Sequence, residues 1–382
     1  MTRAEANEPF RLLVVSHPAV LPVNQLVYAE LQRRGIQVTL VTPAQWKHEY
    51  APSAFAAAAL PELRSAHLPL AVALAGRPQR HFYLTSARRL LRRLRPQVVF
   101  LEQEPFSLSA AQWAFASRRA HVPFGVQIAE NLDRPLPAPV IASRTAVLRA
   151  AAFVAARSWS AAGLARRWGA TGTVALAFHH TPLWDITDRR PTAERVFTVG
   201  YAGRLVPEKG LADLVAAVRL LDPPVRLVLA GDGPIRDELA GASIPGGAVE
   251  VMVGFTHDTM PAAYGEMDVL VLPSRTTATW SEQFGRVIPE ALWCGVPVVG
   301  SDSGEIPRLI EHTGGGLVFH ESDINGLAQA LRLLRADPTK RQALASAGAT
   351  AVRETFSVGP AADQLDQLLR TAIDASPHLA RT

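Results

Sequence analysis

The sequence predicts an α/β protein made of two consecutive domains of similar size, facing each other across a cleft. Three observations predict it. Short apolar strands alternate with longer helical patterns through the first half; the same alternation starts afresh at Val196; and between Thr181 and Arg195 it stops, in a stretch holding two prolines and clustered charge. That stretch reads as the linker. The expected domains are therefore 1–185 and 186–360.

In the first half Arg11–Ser16, Val38–Thr42, Val98–Leu101, Phe124–Ile128 and Phe153–Ala155 read as strands. Their near-continuous Val, Leu, Ile and Phe runs mark strands covered on both faces, as in a parallel sheet with helices on each side. Leu26–Gly35 is the first crossover helix, closed by Gly35. In the second half Phe197–Gly203, Val225–Gly233, Val249–Phe255, Val269–Ser274 and Val296–Ser301 read as strands. Between them lie helical patterns at Leu211–Leu221, Ile235–Leu239 and Met260–Tyr264, and a further helix is expected to begin near Gly285. A last helix covers Ala361–Ile373. Position in the chain alone assigns it to the second domain.

Length and composition bound the function. The 382 residues suffice for two cores, and 48% hydrophobic with 19% charged residues is ordinary for a soluble globular chain. No apolar run approaches the roughly 18 residues of a membrane span, and the polar start, Met1–Pro9, runs straight into a strand, so a cytoplasmic protein without a signal peptide is expected. Cys294 is the only cysteine, inside an apolar helix and with no local His to activate it, so it reads as packing. The net charge of +5 is carried by Arg, with Lys only at 47, 209 and 340. That charge fits nucleic acid, an anionic membrane or phosphorylated substrates. The absence of zinc-ligand spacing and of interleaved aromatic and basic residues argues against nucleic acid.

The chemistry concentrates between Trp280 and Ser301. Glu282 and Glu290 stand eight positions apart, with Phe284 and Gly285 before an apolar helical run. A helix starting near Gly285 would present unpaired backbone N–H groups and a positive dipole end to a diphosphate or a sugar hydroxyl. Were the segment helical throughout, the two carboxylates would lie about 12 Å apart, the span from a sugar through a diphosphate to a ribose. Carboxylates accept hydrogen bonds from hydroxyls well, so one Glu at each end of a nucleotide sugar makes chemical sense. Upstream, Gly203-Arg204 follows the first strand of this half and Lys209-Gly210 opens the next helix, so that two cations stand five residues apart for a diphosphate. Taken singly, each of these features is a surface helix with two Glu, or a surface Arg near a helix-start Lys.

The full string resembles more than that. Ser281-Glu282-Gln283-Phe284-Gly285-Arg286, then Pro289-Glu290-Ala291, then Gly295-Val296-Pro297-Val298-Val299, is similar to the E-x7-E donor-site signature of retaining glycosyltransferase family 4, the group 1 glycosyltransferases. Gly203-Arg204-Leu205 with Lys209-Gly210 resembles a second element of that family. The resemblance covers nearly all of the second half and is general over the first. It implies two Rossmann-like domains of the glycosyltransferase B-type fold, with the last helix, about 361–382, crossing back to the first domain. It implies Arg204 and Lys209 on the donor diphosphate, Glu282 on the sugar hydroxyls with backbone N–H groups of Phe284 and Gly285 nearby, Glu290 on the ribose, and a nucleobase pocket near Gly233 and Phe255. No metal or other cofactor is implied; a nucleoside-diphosphate sugar is the co-substrate.

The first half should then hold the acceptor, a sugar, glycolipid or polysaccharide of the bacterial cell envelope. Its strand ends carry His17, Glu102, Glu104, Gln127 and Asn131, with Asn24 in the loop after the first strand, and together they read as a hydroxyl-binding wall. Two departures concern this half: a stiff Pro18–Asn24 loop replaces the family's Gly-Gly, and Gln127 or Asn131 stands nearest to its acceptor-side His. On a helical wheel Leu84–Arg95 places Arg88, Arg89, Arg92, Arg93 and Arg95 opposite Leu84, Leu90, Leu91 and Leu94. That helix either packs inward through Leu or lies on an anionic membrane at its inner face. His179-His180 ends a strand and lacks further ligands at metal spacing. The rival readings are a sugar-nucleotide epimerase using Glu102 and Glu104 as acid and base, and a non-catalytic nucleotide-sugar-binding module.

Overall fold

The computed structural model describes residues 9–47, 54–181, 184 and 196–376. The expected linker falls mostly outside them, as do residues 377–382 of the C-terminal span. The chain divides into two compact units, with boundaries after Phe178 and after Ser357. Each unit is α/β, a mainly parallel sheet with helices, and both are Rossmann-like.

In chain order unit 1 comprises β1 (Arg11–Ser16), α1 (Leu26–Arg33), β2 (Gln37–Pro43), β3 (Gln45–Trp46), β4 (Phe55–Ala56), β5 (His67–Leu70), β6 (Val72–Ala73), β7 (Phe82–Tyr83), α2 (Ala87–Leu94), β8 (Val98–Glu102), α3 (Leu108–Arg119), β9 (Phe124–Ile128), α4 (Ala138–Ala150), β10 (Phe153–Ala156), α5 (Trp159–Arg167) and β11 (Thr173–Leu176). Its seven-stranded parallel sheet has the order β11-β10-β9-β8-β1-β2-β5, and two short antiparallel ribbons, β3 with β4 and β6 with β7, flank it. Alternate residues of β1 feed opposite faces, as the pleat requires. Leu13 and Val15 join the core beneath α2 to α5, whereas Leu12 and Val14 join the core against α1.

Unit 2 runs β12 (Thr198–Ala202), α6 (Leu211–Arg219), β13 (Arg226–Ala230), α7 (Arg236–Ala240), β14 (Ser243–Ile244), β15 (Gly247–Met252), α8 (Met260–Gly265), β16 (Val269–Leu272), α9 (Val287–Trp293), β17 (Val298–Ser301), α10 (Ile306–Thr313), β18 (Gly316–Phe319), α11 (Ile324–Ala336) and α12 (Pro338–Thr355). The sheet order is β14-β15-β13-β12-β16-β17-β18, parallel apart from β14. The last helix, α13 (Val358–Asp374), belongs to unit 1. Its Ala362, Leu365 and Leu369 recur at helical spacing and fill the same core as Leu12, Val14 and the buried face of α1.

Three local expectations are corrected. The basic helix starts at Ala87, because the Ser86 hydroxyl caps the Arg89 N–H; Leu84 precedes that cap, is 64% exposed, and forms no part of the inward Leu face. Arg95 ends the helix in the left-handed conformation. The strand expected to end at His179-His180 stops at Leu176.

Candidate active site

In unit 2 the chain leaves β12 for β13 and β15 on one side, then returns to the other side for β16. The gap between β12 and β16 is the topological switch point, the place where doubly wound sheets bind ligands at the carboxyl ends of their strands. These two strands pair over two positions only, Val199 with Val269 and Gly200 with Leu270, against five for β12 and β13. Both candidate cations follow β12 and both candidate carboxylates follow β16.

The loops at this point bring Lys209 and Glu282 together. The Lys209 Nζ lies 2.5 Å from the Glu282 Oε2, which also accepts a 2.8 Å hydrogen bond from the Ser274 hydroxyl. Both charged side chains are largely buried. The ammonium also sits 4.9 Å from the Trp280 ring centre. The pair is held from several sides. Arg275, next to Ser274, forks onto the Asp213 carboxylate at the start of α6, and its N–H donates to the Glu208 carbonyl, one residue before Lys209. The Glu305 N–H donates to the Glu282 carbonyl at 3.1 Å, and the Tyr201 hydroxyl donates to the Arg204 carbonyl at 2.7 Å.

Glu282 lies in the loop before α9, not on it, so a helical spacing to Glu290 does not apply. Gly285, at φ +73°, breaks the helix there. The helix has seven residues and begins at Val287; Ile288 and Glu290 already donate to the Gly285 and Arg286 carbonyls, and Pro289 has no N–H. The Ile288 N–H is thereby taken up, whereas the Glu290 bond to Arg286 is the regular helical one and takes nothing from the first turn. The Phe284 side chain is core, packed on His179 and Phe356.

Glu290 is buried and differs electrostatically from Glu282. Its Oε2 accepts from the Tyr264 hydroxyl at 2.7 Å, and Arg286 approaches Oε1 at 3.9 Å. Burial pushes its carboxyl up, opposed by Arg286 and by the Tyr264 bond. Gly203 and Gly233 lie in neighbouring turns that are stitched by the Leu205 N–H to the Asp232 carbonyl, and a Cβ on Gly233 would come within 2.2 Å of the Leu205 carbonyl oxygen. Phe255 is partly buried between β15 and α8.

The acceptor-side residues of unit 1 separate into different environments. Glu102 lies at its switch point, between β1 and β8, and is held by three hydrogen bonds. Its Oε2 accepts from the Ser16 and Tyr28 hydroxyls, both at 2.6 Å, and its Oε1 from Arg157 at 2.7 Å. The same guanidinium donates to Gln127 at 2.9 Å. His17 Nδ1 is 2.9 Å from the Gln103 amide oxygen, and Asn24 donates to the Pro18 carbonyl, fastening its own turn. Glu104 accepts from the Ala129 N–H at 2.8 Å, close to Asn131, whose N–H donates to Glu130. Burial pushes the Glu104 carboxyl up to about 8, and the neighbouring Glu130 carboxylate adds to this. Glu102 and Glu104 thus lie in separate hydrogen-bond sets. Among the described residues no group of three or more His, Cys, Asp or Glu is placed to hold a metal.

Sequence reading passed over four residues that the site uses. Ser274 reads as a strand end, Trp280 and Arg275 as loop, and Tyr264 as an apolar helix position. Tyr264 stands 26 residues from its partner Glu290, a separation that leaves no local pattern.

Fold and site together define the class: this is the fold of the B-type glycosyltransferases. Sucrose-phosphate synthase from Thermosynechococcus elongatus superposes with a TM-score of 0.71 at 19% identity, covering 96% of this chain and all of that one. HepE from Anabaena in complex with UDP and glucose superposes at 0.67 and 17%, covering 95% and 100%. More particularly, residues 184–351, which contain the whole Lys209–Glu282–Glu290 constellation, match the family model of group 1 glycosyl transferases. Relatives include the GDP-mannose-dependent alpha-(1-6)-phosphatidylinositol monomannoside mannosyltransferase of Mycobacterium tuberculosis, 31% identical over 45% of this chain and 47% of that protein. The alpha-D-kanosaminyltransferase of Streptomyces kanamyceticus is 31% identical over 44% of each. The chain spans about half the length of these relatives.

The raised Glu104 carboxyl has a stability consequence. Its folded value of about 8 lies above the ordinary 4.5, so its contribution is fully present below about pH 4.5 and is lost as pH rises to about 8. Glu104→Gln removes that loss. The melting temperature of the variant minus that of the wild type should climb between pH 5 and 8; a flat difference means that Glu104 ionises like an exposed carboxylate.

Proposed function

We propose that the chain is a retaining, metal-independent glycosyltransferase of family 4, moving a sugar from a nucleoside-diphosphate sugar to an acceptor hydroxyl in the synthesis of a cell-envelope glycolipid or polysaccharide. One observation carries the reading: the Lys209–Glu282 pair stands at the switch point of unit 2, inside the segment that matches the group 1 family model. The mannosyltransferase of phosphatidylinositol monomannoside among its relatives supports a hydroxyl acceptor, and the kanosaminyltransferase supports sugar transfer.

In the proposed reaction the bond from the anomeric carbon to the diphosphate oxygen breaks, and the leaving diphosphate takes the electron pair. Lys209 turns from Glu282 towards the diphosphate and, with Arg204, stabilises its developing charge, the part a metal plays elsewhere. Glu282, released from the ammonium, accepts hydrogen bonds from the sugar hydroxyls, and Glu290 accepts from the ribose. The acceptor oxygen attacks from the face that the diphosphate leaves, and its proton passes to a departing phosphate oxygen. Atoms and charge balance without an enzyme nucleophile, and the anomeric configuration is kept.

A peripheral membrane contact belongs to the same proposal. Among the described residues no helix is long and apolar enough to cross a membrane. Arg88, Arg89, Arg92, Arg93 and Arg95 are all exposed, while Leu90 and Leu91 are buried, so α2 packs through Leu and offers a cationic outer face. Exposed Phe82 and Leu84 lie just before it. Basic residues near an anionic surface are worth about 1 kcal/mol each.

Three outcomes are expected. In a thermal-shift screen of UDP-, GDP-, ADP- and dTDP-sugars with their free diphosphates, one nucleotide class should raise the melting temperature, and Glu290→Ala should weaken that binding roughly 10- to 100-fold; no shift with any of them sinks the donor-site reading. With that donor, Arg204→Ala and Lys209→Ala should each cut turnover about 100-fold or more, with wild-type product retaining the anomeric configuration by NMR. Near-normal rates in these variants exclude both residues from the mechanism. Sedimentation with phosphatidylglycerol vesicles should exceed that with phosphatidylcholine and fall when Arg88, Arg89, Arg92 and Arg93 become Gln; equal sedimentation with both lipids refutes the membrane contact.

A further inference from the structure

The loop from Arg275 to Arg286 does more than deliver Glu282. Its first half is tied down: Arg275 is held by Asp213, the Thr276 N–H donates to the Glu321 carboxylate at 2.6 Å, and the Thr276 hydroxyl lies 2.9 Å from that of Ser303. It then folds into a tight turn. The Thr277 N–H donates to the Trp280 carbonyl at 2.7 Å, and the Trp280 N–H to the Thr277 hydroxyl at 3.0 Å. Residues 276–279 are exposed, but Trp280 is partly buried, with its ring turned to the Lys209 ammonium. The indole thus stands in a fixed place beside the Lys209–Glu282 pair, and one ammonium serves both the carboxylate and the ring face.

We infer that Trp280 is a specificity-determining residue of the donor site, the platform on which the apolar face of the donor's pyranose ring stacks. The inference rests on the donor-site reading above. A hexose that hydrogen-bonds Glu282 while its diphosphate draws Lys209 away occupies the space the ammonium leaves, which is the space over the indole. The ring face carries negative potential and takes either a cation or polarised C–H bonds. Loss of the ammonium–ring contact is thereby offset by sugar–ring contact, and only a ligand bearing a sugar provides that offset. A free nucleoside diphosphate draws Lys209 but leaves the indole face bare. Trp280 therefore separates sugar-bearing from sugar-free nucleotides, and among sugars it favours those presenting a flat C–H face on the side away from the hydroxyls that Glu282 holds.

The test is calorimetric titration of the full chain with UDP-glucose, GDP-mannose, ADP-glucose and dTDP-glucose, and with each free diphosphate, for wild type, Trp280→Ala and Trp280→Phe. Expected in Trp280→Ala is a fall of about five- to tenfold in the ratio of sugar-nucleotide to diphosphate affinity, the diphosphate binding more tightly because it no longer costs the ammonium–ring contact, and recovery of most of that ratio in Trp280→Phe. Equal losses for sugar nucleotide and diphosphate overturn the inference, because Trp280 would then act only through Lys209 or the loop. An unchanged ratio with no loss for either overturns it too. A wild type that binds none of the eight compounds overturns the donor-site reading itself, whereas wild-type binding with an indifferent Trp280→Ala leaves that reading standing and removes only the platform.

Discussion

The arrangement of unit 2 depends on one buried ion pair, Lys209 with Glu282. Two charges withdrawn from water are costly unless each finds further partners. Here Glu282 has the Ser274 hydroxyl and Lys209 has the Trp280 ring. Those partners come from the segment after β16, and the cation from the segment after β12, so the pair ties together the two strand ends that share the shortest parallel ladder of the sheet. Around it, backbone bonds such as Arg275 to Glu208 and Glu305 to Glu282 fix where the two loops run. A neutral, self-compensated pair at a switch point is stable in the free protein and is ready to be exchanged when a ligand offers better partners to both charges.

Unit 1 uses the same topology differently. At its switch point Glu102 is met by two hydroxyls and by Arg157, and that guanidinium goes on to Gln127 and the Ala177 carbonyl. These bonds link β1, β8, β9 and β10 with one another. Three hydrogen bonds engage Glu102 within the unit, so the group acts as a structural tie. Position at a strand end marks a residue as a candidate; the hydrogen bonds it already makes bear on whether it remains one. Glu104 has one oxygen on the Ala129 N–H, and burial pushes its carboxyl up.

The central strands were legible because short apolar runs such as Arg11–Ser16 and Phe124–Ile128 have few alternatives, and their limits agree with the structure; the edge strands β5, β14 and β18, short and less apolar, were not read. Helix starts were less so. Whether α2 begins at Leu84 or Ala87 turns on one hydroxyl, that of Ser86, and whether α9 reaches back to Glu282 turns on the positive φ of Gly285. Local spacing carries no information about either. The types of residue in the donor stretch pointed to sugar and diphosphate chemistry, yet their partners could not be read, since Tyr264 meets Glu290 and Asp213 meets Arg275 across intervals that only the folded sheet closes. Residues that act by holding another residue leave no signature of their own.

The two glutamates of one motif show why environment outranks spacing. Glu282 lies against an ammonium and a hydroxyl, where negative charge is compensated. Glu290 lies against a phenol, and burial raises its carboxyl pKa despite Arg286 nearby. Under the proposed reading a ligand entering this site adds negative charge at its diphosphate, and hydroxyls elsewhere. Lys209 and Arg204 follow β12, whereas Glu290 lies on α9 with Arg286 beside it. A bare sugar would leave Lys209 with Glu282 and gain little, and a bare diphosphate would leave Glu290 without a hydroxyl to accept from. Under the proposed reading, a ligand with phosphate between two hydroxyl-bearing groups engages all three positions, which is why a nucleoside-diphosphate sugar is the ligand proposed.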